Sequence, residues 1–76
     1  MVRMAKLDFY KAVAFRNIIQ IEVSGFNDPD LVDILSEIER ADSLIYLDGY
    51  QYRYANNYRL FADGDATLLE LDVISL

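Results

Sequence analysis

The chain reads YLDGYQYRYANNY from residue 46 to residue 58, and this segment indicates how its strands are paired. Asp48-Gly49 lies between two apolar runs, which is a strong signal for a β-hairpin with a type I′ turn. Tyr50, Tyr52 and Tyr54 alternate along the second strand, so they share one of its faces, the tyrosine face. The alternative is a single bulged strand through the same residues.

A single helix is predicted upstream of this hairpin. Asp28 can cap the free backbone N–H groups of a helix, and Pro29 suits the first helical position. Apolar residues recur at helical spacing and form the stripe that we expect to be buried: Leu31, Ile34, Leu35 and Ile38. The opposite face of the helix holds Asp30, Asp33 and Glu37.

Alternating apolar residues predict two strands before the helix. Residues 5–15 read as one half-buried strand, and residues 18–24 read as the next, with a turn at Arg16-Asn17. One side of the first strand is predicted to hold Leu7, Phe9, Val13 and Phe15. On the second strand Ile19, Ile21 and Val23 share one side, but Ile18 interrupts the alternation, so its register is open by one residue.

Further strands are predicted after the hairpin. Asn56-Asn57 indicates a weaker turn, and Asp63-Gly64-Asp65 indicates another one. The last strand, over residues 66–74, is expected to direct Leu69, Leu71 and Val73 inward. Its other side is expected to hold Leu68, Glu70, Asp72 and Ile74.

The predicted fold is a single α+β domain over residues 1–76. It has a small antiparallel sheet of four to six strands, in the order β-β-α-β-β-β with a possible extra hairpin, and one helix packed on a single face. The tyrosine face, together with Leu68 and Ile74, is predicted to occupy the face that the helix leaves uncovered. Whether that face is core, solvent-exposed or held by a partner is open at this stage.

Charge and composition narrow the classes of partner. The net charge is −6, and residues 28–48 hold seven acidic side chains against Arg40 alone. This charge disfavours direct binding of nucleic acid, including base stacking on the tyrosines, and of anionic membrane surfaces. No apolar run approaches the roughly 20 residues that span a bilayer, and no secretory segment is recognised, so we expect a cytoplasmic protein.

Catalytic chemistry is not indicated. The chain contains no Cys and no His, so Cys–His and Ser–His pairs and imidazole metal sites cannot form. Asp63 and Asp65 are explained by turn formation, and the acidic helix residues by a solvated face. We therefore expect no enzyme activity, no metal and no cofactor.

The sequence predicts a protein-binding module. Tyrosine combines contact area with a polar tip, and acidic residues steer the chain toward a basic partner. In its specific form this is an inhibitor that occupies a basic surface of its target, for example a nucleic-acid-binding one. In size, charge and lack of motifs the chain resembles inhibitors of phages and mobile elements, including many anti-CRISPR proteins, although no residue pattern assigns it to one family.

The residues expected to contact the partner are Asp30, Asp33, Glu37, Asp48, Tyr50, Tyr52, Tyr54 and Tyr58. The alternative is a structural or assembly protein that self-associates through its tyrosine-rich sheet face, for example as a homodimer. A small chain without disulfides, of which 54% is hydrophobic, can complete its core by such pairing.

Overall fold

A computed structural model describes residues 3–76, so residues 1 and 2 of the predicted domain lie outside the described part. It confirms an α+β fold with one helix packed on a sheet of six strands. The elements in chain order are β1 (Ala5–Lys6), β2 (Lys11–Phe15), β3 (Ile18–Val23), α1 (Pro29–Arg40), β4 (Leu44–Leu47), β5 (Tyr50–Asp63) and β6 (Ala66–Ser75).

The sheet is mixed rather than wholly antiparallel. Its strand order is β1-β4-β5-β6-β3-β2, and β1 runs parallel to β4 while every other neighbouring pair is antiparallel. The short β1 was not predicted as a separate strand, and it gives the chain the order β-β-β-α-β-β-β.

The prediction of one strand over residues 5–15 is wrong. A turn interrupts this segment, where the N–H of Tyr10 donates to the C=O of Leu7 at 3.2 Å. Leu7 is buried, but Phe9 in the turn is 87% exposed, and Val13 and Phe15 are exposed on the far side. The turn reverses which residues of the alternating pattern face the core, so the four side chains do not share one buried face.

This turn also shows that the sheet is strongly curled. β1 and β2 lie at opposite edges, yet only residues 7–10 separate them. In a flat sheet with strands about 4.8 Å apart, six strands would place the two edges about 24 Å apart. The chain from Lys6 to Lys11 reaches at most about 18 Å when fully extended. The sheet must therefore bend so that its two edges approach each other.

The core lies between α1 and the inner, concave face of the sheet. Ile34 and Ile38 of the helix are buried, as are Ile45 and Leu47 of β4. The alternating apolar residues predicted in the strands over residues 18–24 and 66–74 are all buried, which confirms the alternation and fixes the register that Ile18 left open: Ile19, Ile21, Val23, Leu69, Leu71 and Val73.

The helix begins where its sequence signals predict. One carboxylate oxygen of Asp28 accepts the N–H of Asp30 at 2.9 Å, and the other accepts the N–H and the hydroxyl of Ser24 at 2.8 and 3.0 Å. These bonds, first that from the Ser24 backbone, lower the pKa of Asp28 because they favour its charged form. Pro29 occupies the first turn, as predicted.

The hairpin at Asp48-Gly49 is confirmed, whereas the turn predicted at Asn56-Asn57 is wrong. β5 continues through it as one long strand that pairs Tyr54 with Val73 and Tyr58 with Leu71. β5 therefore advances four residues while β6 advances two, and a bulge absorbs the two extra residues. Asn56 takes the left-handed conformation there, with φ of 57°. The asparagine correctly indicated a positive φ. Because β5 pairs with β6 on both sides of this residue, the irregularity is a bulge and not a turn.

The outer face of the sheet is crossed by a polar network around Arg59. Its guanidinium donates to Glu70 at 2.6 Å and to Asp72 at 2.7 Å. Asp72 also accepts from the amide of Asn57 at 2.7 Å, and Glu70 accepts from the amide of Gln20 at 2.9 Å. The network joins three neighbouring strands across the uncovered face, as the outward positions of Glu70 and Asp72 predicted.

Stability is expected to fall in acid partly because of this network. Hydrogen bonds, first from Gln20 and then from Arg59, lower the pKa of Glu70, and Arg59 likewise lowers the pKa of Asp72. A carboxyl group whose pKa is lower in the folded state stabilises the fold above its unfolded pKa, which is about 4, and this contribution is lost as pH falls through the folded pKa. Urea unfolding between pH 7 and pH 2 should show less acid sensitivity in the double variant Glu70→Gln/Asp72→Asn. An unchanged pH profile would contradict the assignment.

Candidate protein-binding surfaces

Tyr50, Tyr52 and Tyr54 share one face of β5, as predicted, but this tyrosine face belongs to the inner face of the sheet. Tyr52 pairs with Ile45 and Tyr54 pairs with Val73, and both of these partners are buried in the core. Tyr52 is 8% exposed and Tyr54 is partly buried, whereas Tyr50 is 66% exposed. The prediction that these residues share the uncovered face with Leu68 and Ile74 is therefore wrong.

The eight predicted contact residues do not form one surface. They fall into three places on the molecule, which are the acidic side of α1, the end of the β4–β5 hairpin and a groove beside the β5 bulge. Partner binding by each of them stays a prediction, but Tyr52 offers a partner little area because it is packed in the core.

The first place is the acidic side of α1. Glu37 accepts from Arg3 and from Arg40, each at 3.1 Å, and the bond from Arg3 is the main cause of its lowered pKa. Asp30 and Asp33 are exposed on the same helix. Burial, followed by the charges of these three carboxylates, raises the pKa of Tyr10, which places that tyrosine beside the acidic side.

The second place is a cleft of about 340 Å³ between β2 and the β4–β5 hairpin, the edge cleft. Asp48, Tyr50 and Tyr52 line one wall. Asp8 lies at the turn of the hairpin, because its carboxylate accepts the N–H of Asp48 at 2.8 Å. The other lining residues are Tyr10, Ala12, Val13, Ala14 and Leu47.

The third place is a groove of about 630 Å³ between the C-terminal end of α1 and the bulged part of β5, the tyrosine groove. Leu35 and Ile38 line it from the helix, and Tyr54 and Tyr58 line it from the strand. The remaining lining residues are Glu39, Asp42, Ser43 and Asn56. Apolar, aromatic and acidic side chains thus meet at one concave site.

The backbone that shapes this groove is unusual. The helix ends in a Schellman motif, in which the N–H of Ser43 donates to the C=O of Ile38 at 2.9 Å and the N–H of Asp42 donates to the C=O of Glu39 at 3.1 Å. Asp42 and Ser43 take φ of 53° and 68°, where glycine is the usual residue. The C=O of Ser43 then accepts the N–H of Tyr54 at 2.8 Å, which fixes the helix end against β5.

The groove is acidic at its rim. Within residues 3–76, neither Glu39 nor Asp42 forms an ion pair, although both are exposed. Burial raises the pKa of Tyr54, and the charges of Tyr58 and Asp72 raise it further. Its neutral hydroxyl can act as a hydrogen-bond donor.

The acidic members of this groove, Glu39 and Asp42, were not among the predicted contact residues. Glu39 and Asp42 were visible as charges near a helix end, but nothing local showed that β5 would cross that end. Tyr54 and Tyr58 were predicted as contact residues, and the structure brings these two together. It does not bring them to Asp30 or Asp33.

Two features were searched for in the part of the chain that the structure describes, a cluster of metal-ligating side chains and a membrane-spanning helix. No three acidic side chains there are grouped closely enough to hold a metal ion. Among the same residues, no helix is long and apolar enough to cross a membrane.

Comparison with known proteins gives no relative. No family model, curated protein or solved structure matches the chain.

Proposed function

We propose that the protein is an acidic protein-binding module whose tyrosine groove receives a lysine or arginine side chain from a basic surface of a partner protein. The observation that supports this most strongly is the combination of a Leu35/Ile38 floor, the Tyr54 and Tyr58 rings and two carboxylates without an ion-pair partner among the described residues.

The chemistry of the groove matches a long basic side chain. Lysine and arginine bury their aliphatic stems against apolar surface while keeping the charged head near water, so Leu35 and Ile38 suit the stem. A cation over a tyrosine ring is attracted by the ring, and a carboxylate within a few ångströms adds a charge-assisted hydrogen bond. Glu39 and Asp42 at the rim supply the carboxylates.

The acidic side of α1 has a supporting role in this proposal. Glu37 is already engaged by Arg3 and Arg40, which reduces what it can offer a partner. Asp30 and Asp33 contribute to the negative field, which speeds encounter with a basic surface and is weakened by salt. The net charge of −6 supports the more specific proposal of an inhibitor that occupies a basic groove of its target.

Self-association is the second candidate, through a different surface from the one first predicted. Val13, Phe15 and Ile74 are each more than half exposed on the outer face, whereas the tyrosine face is turned toward the helix. Exposed apolar residues on an uncovered sheet face are typical of an interface. Sedimentation would decide this point, since a monomer at micromolar concentration would exclude it.

The tyrosine groove can be tested with two variants of equal charge. In Glu39→Gln/Asp42→Asn the groove loses both carboxylates, and Asn tolerates the left-handed backbone at position 42. In Asp63→Asn/Asp65→Asn the same charge is removed at the distant β5–β6 turn. The probe is a blocked glycine peptide with two lysines, too flexible to pair as a strand, titrated at low salt and followed by NMR.

Removal of the groove carboxylates is expected to weaken this binding at least fivefold more than removal of the turn carboxylates, because general attraction is the same in both variants. The perturbed resonances should include Tyr54 and Tyr58. Equal weakening by the two variants would show that only net charge matters and would refute the groove.

A further inference from the structure

The free edge of β2 is a candidate binding element separate from the tyrosine groove. β2 is the last strand of the sheet and pairs on one side only, with β3. The N–H of Val73 donates to the C=O of Asn17 at 2.9 Å, which shows which alternate residues on this side of the sheet bond to β6 through their backbone groups. The residues of β3 between them, Ile18, Gln20 and Glu22, direct their backbone groups toward β2.

The register then shows which groups of β2 are free. Lys11, Val13 and Phe15 stand opposite those residues and use their backbone groups on β3. Ala12 and Ala14 therefore direct theirs away from the sheet. The N–H of Ala12 donates to the C=O of Tyr10 at 2.9 Å, so the groups left at the edge are the C=O of Ala12 and both groups of Ala14.

The curl of the sheet places the edge cleft beside these groups. Ala12 and Ala14 line it with small side chains, and Leu47, Tyr50 and Tyr52 line it from the hairpin. A strand added to the edge would direct every second side chain into this cleft, since side chains alternate between the faces. Backbone pairing supplies affinity in such complexes, and the cleft supplies specificity.

Charge indicates which side chain suits the cleft. Asp8 and Asp48 both line it and both are exposed. No ion pair involves either of them among residues 3–76. Tyr50, 66% exposed, adds an aromatic surface next to them.

We propose that the edge of β2 binds an extended segment of a partner protein, which pairs as an added antiparallel strand and places a lysine or arginine in the edge cleft against Asp8 and Asp48. A second copy of β2 is a poorer occupant. Two-fold pairing centred on Val13 would set Ala14 of one copy opposite Ala12 of the other, so the middle of the added strand would present small apolar side chains and no cation.

Proline at position 14 provides the test. Ala14→Pro removes the outward N–H, and proline is tolerated on an edge strand where that N–H faces solvent. Ala14→Ser keeps the N–H and serves as the matched control. The probe is a blocked heptapeptide of alternating threonine and valine with a central lysine, and a second peptide carries glutamate in place of the lysine. NMR of the remaining amides confirms that each variant is folded.

The lysine peptide is expected to slow hydrogen exchange of the Ala14 amide. Its Kd should rise at least fivefold in Ala14→Pro and less than twofold in Ala14→Ser, because one backbone hydrogen bond and the space for pairing are lost. The glutamate peptide should bind at least fivefold more weakly than the lysine peptide. Glu39→Gln/Asp42→Asn should weaken this binding no more than Asp63→Asn/Asp65→Asn does, which separates it from the tyrosine groove.

Two results would overturn the proposal. One is binding of the lysine peptide that is insensitive to Ala14→Pro or equal to that of the glutamate peptide. The other is protection of the Ala14 amide in the protein alone at high concentration, together with a dimer that Ala14→Pro dissociates, because a second copy would then occupy the edge.

Discussion

Tyr52→Ala is expected to lower the free energy of unfolding by about 3 kcal/mol, whereas Tyr50→Ala should change it by less than about 0.5 kcal/mol. The two residues lie on the same face of the same strand, two positions apart. Tyr52 is 8% exposed and packs in the core, while Tyr50 is 66% exposed. The difference therefore comes from the cavity that alanine leaves at position 52.

Urea unfolding followed by circular dichroism measures both values, and Tyr50→Ala is the matched control. The slope of the free energy with urea should be the same in both variants if both unfold in one step. Similar stability of the two variants would contradict the placement of Tyr52 in the core.

Ile38→Ala is expected to have an effect of similar size, about 3 kcal/mol, because this helix residue is 1% exposed between the sheet and the tyrosine groove. A domain of this length has roughly 4–11 kcal/mol of stability in total. The variant should therefore unfold at a much lower urea concentration, and it should widen the floor of the groove.

Val32→Ala is the control for this change, because Val32 lies on the same helix and is 68% exposed. Its stability should stay within about 0.5 kcal/mol of the parent protein. Calorimetry or urea unfolding of the pair gives the comparison. Equal losses would contradict the burial of Ile38, because alanine is the better helix former at both positions.

The features predicted correctly from the sequence depend on nearby residues. Asp28 and Pro29 specify the start of the helix through local hydrogen bonding and a fixed φ. Asp48-Gly49 specifies its hairpin in the same local way, since Gly49 takes φ of 85° and Asp48 takes φ of 51°. The last strand was also predicted correctly, because Leu69, Leu71 and Val73 alternate with Glu70 and Asp72.

The features predicted incorrectly depend on distant pairing. Nothing near Leu7 or Phe9 shows that the chain leaves one edge of the sheet and joins the other. Asn56 takes the positive φ that asparagine tolerates, but only the pairing of Tyr58 with Leu71 decides that the strand continues.

Only part of the candidate site was predictable, because the rest of it also depends on residues that are distant in sequence. Alternation showed that Tyr50, Tyr52 and Tyr54 share a face, but it could not show which face the helix covers. The grouping of Tyr54 and Tyr58 with Glu39 and Asp42 around one groove requires the helix end and the bulge together. These elements are distant in sequence and meet only in the folded chain.

The bulge in β5 also constrains how the length of this chain can change during evolution. It inserts an even number of residues, so the strand leaves it with the same faces that it had on entry. Loss of one residue here would rotate the distal half of β5 by half a turn, exposing Leu60 and turning Arg59 toward the core. We expect insertions and deletions at this point to be accepted in pairs, and single ones to be eliminated.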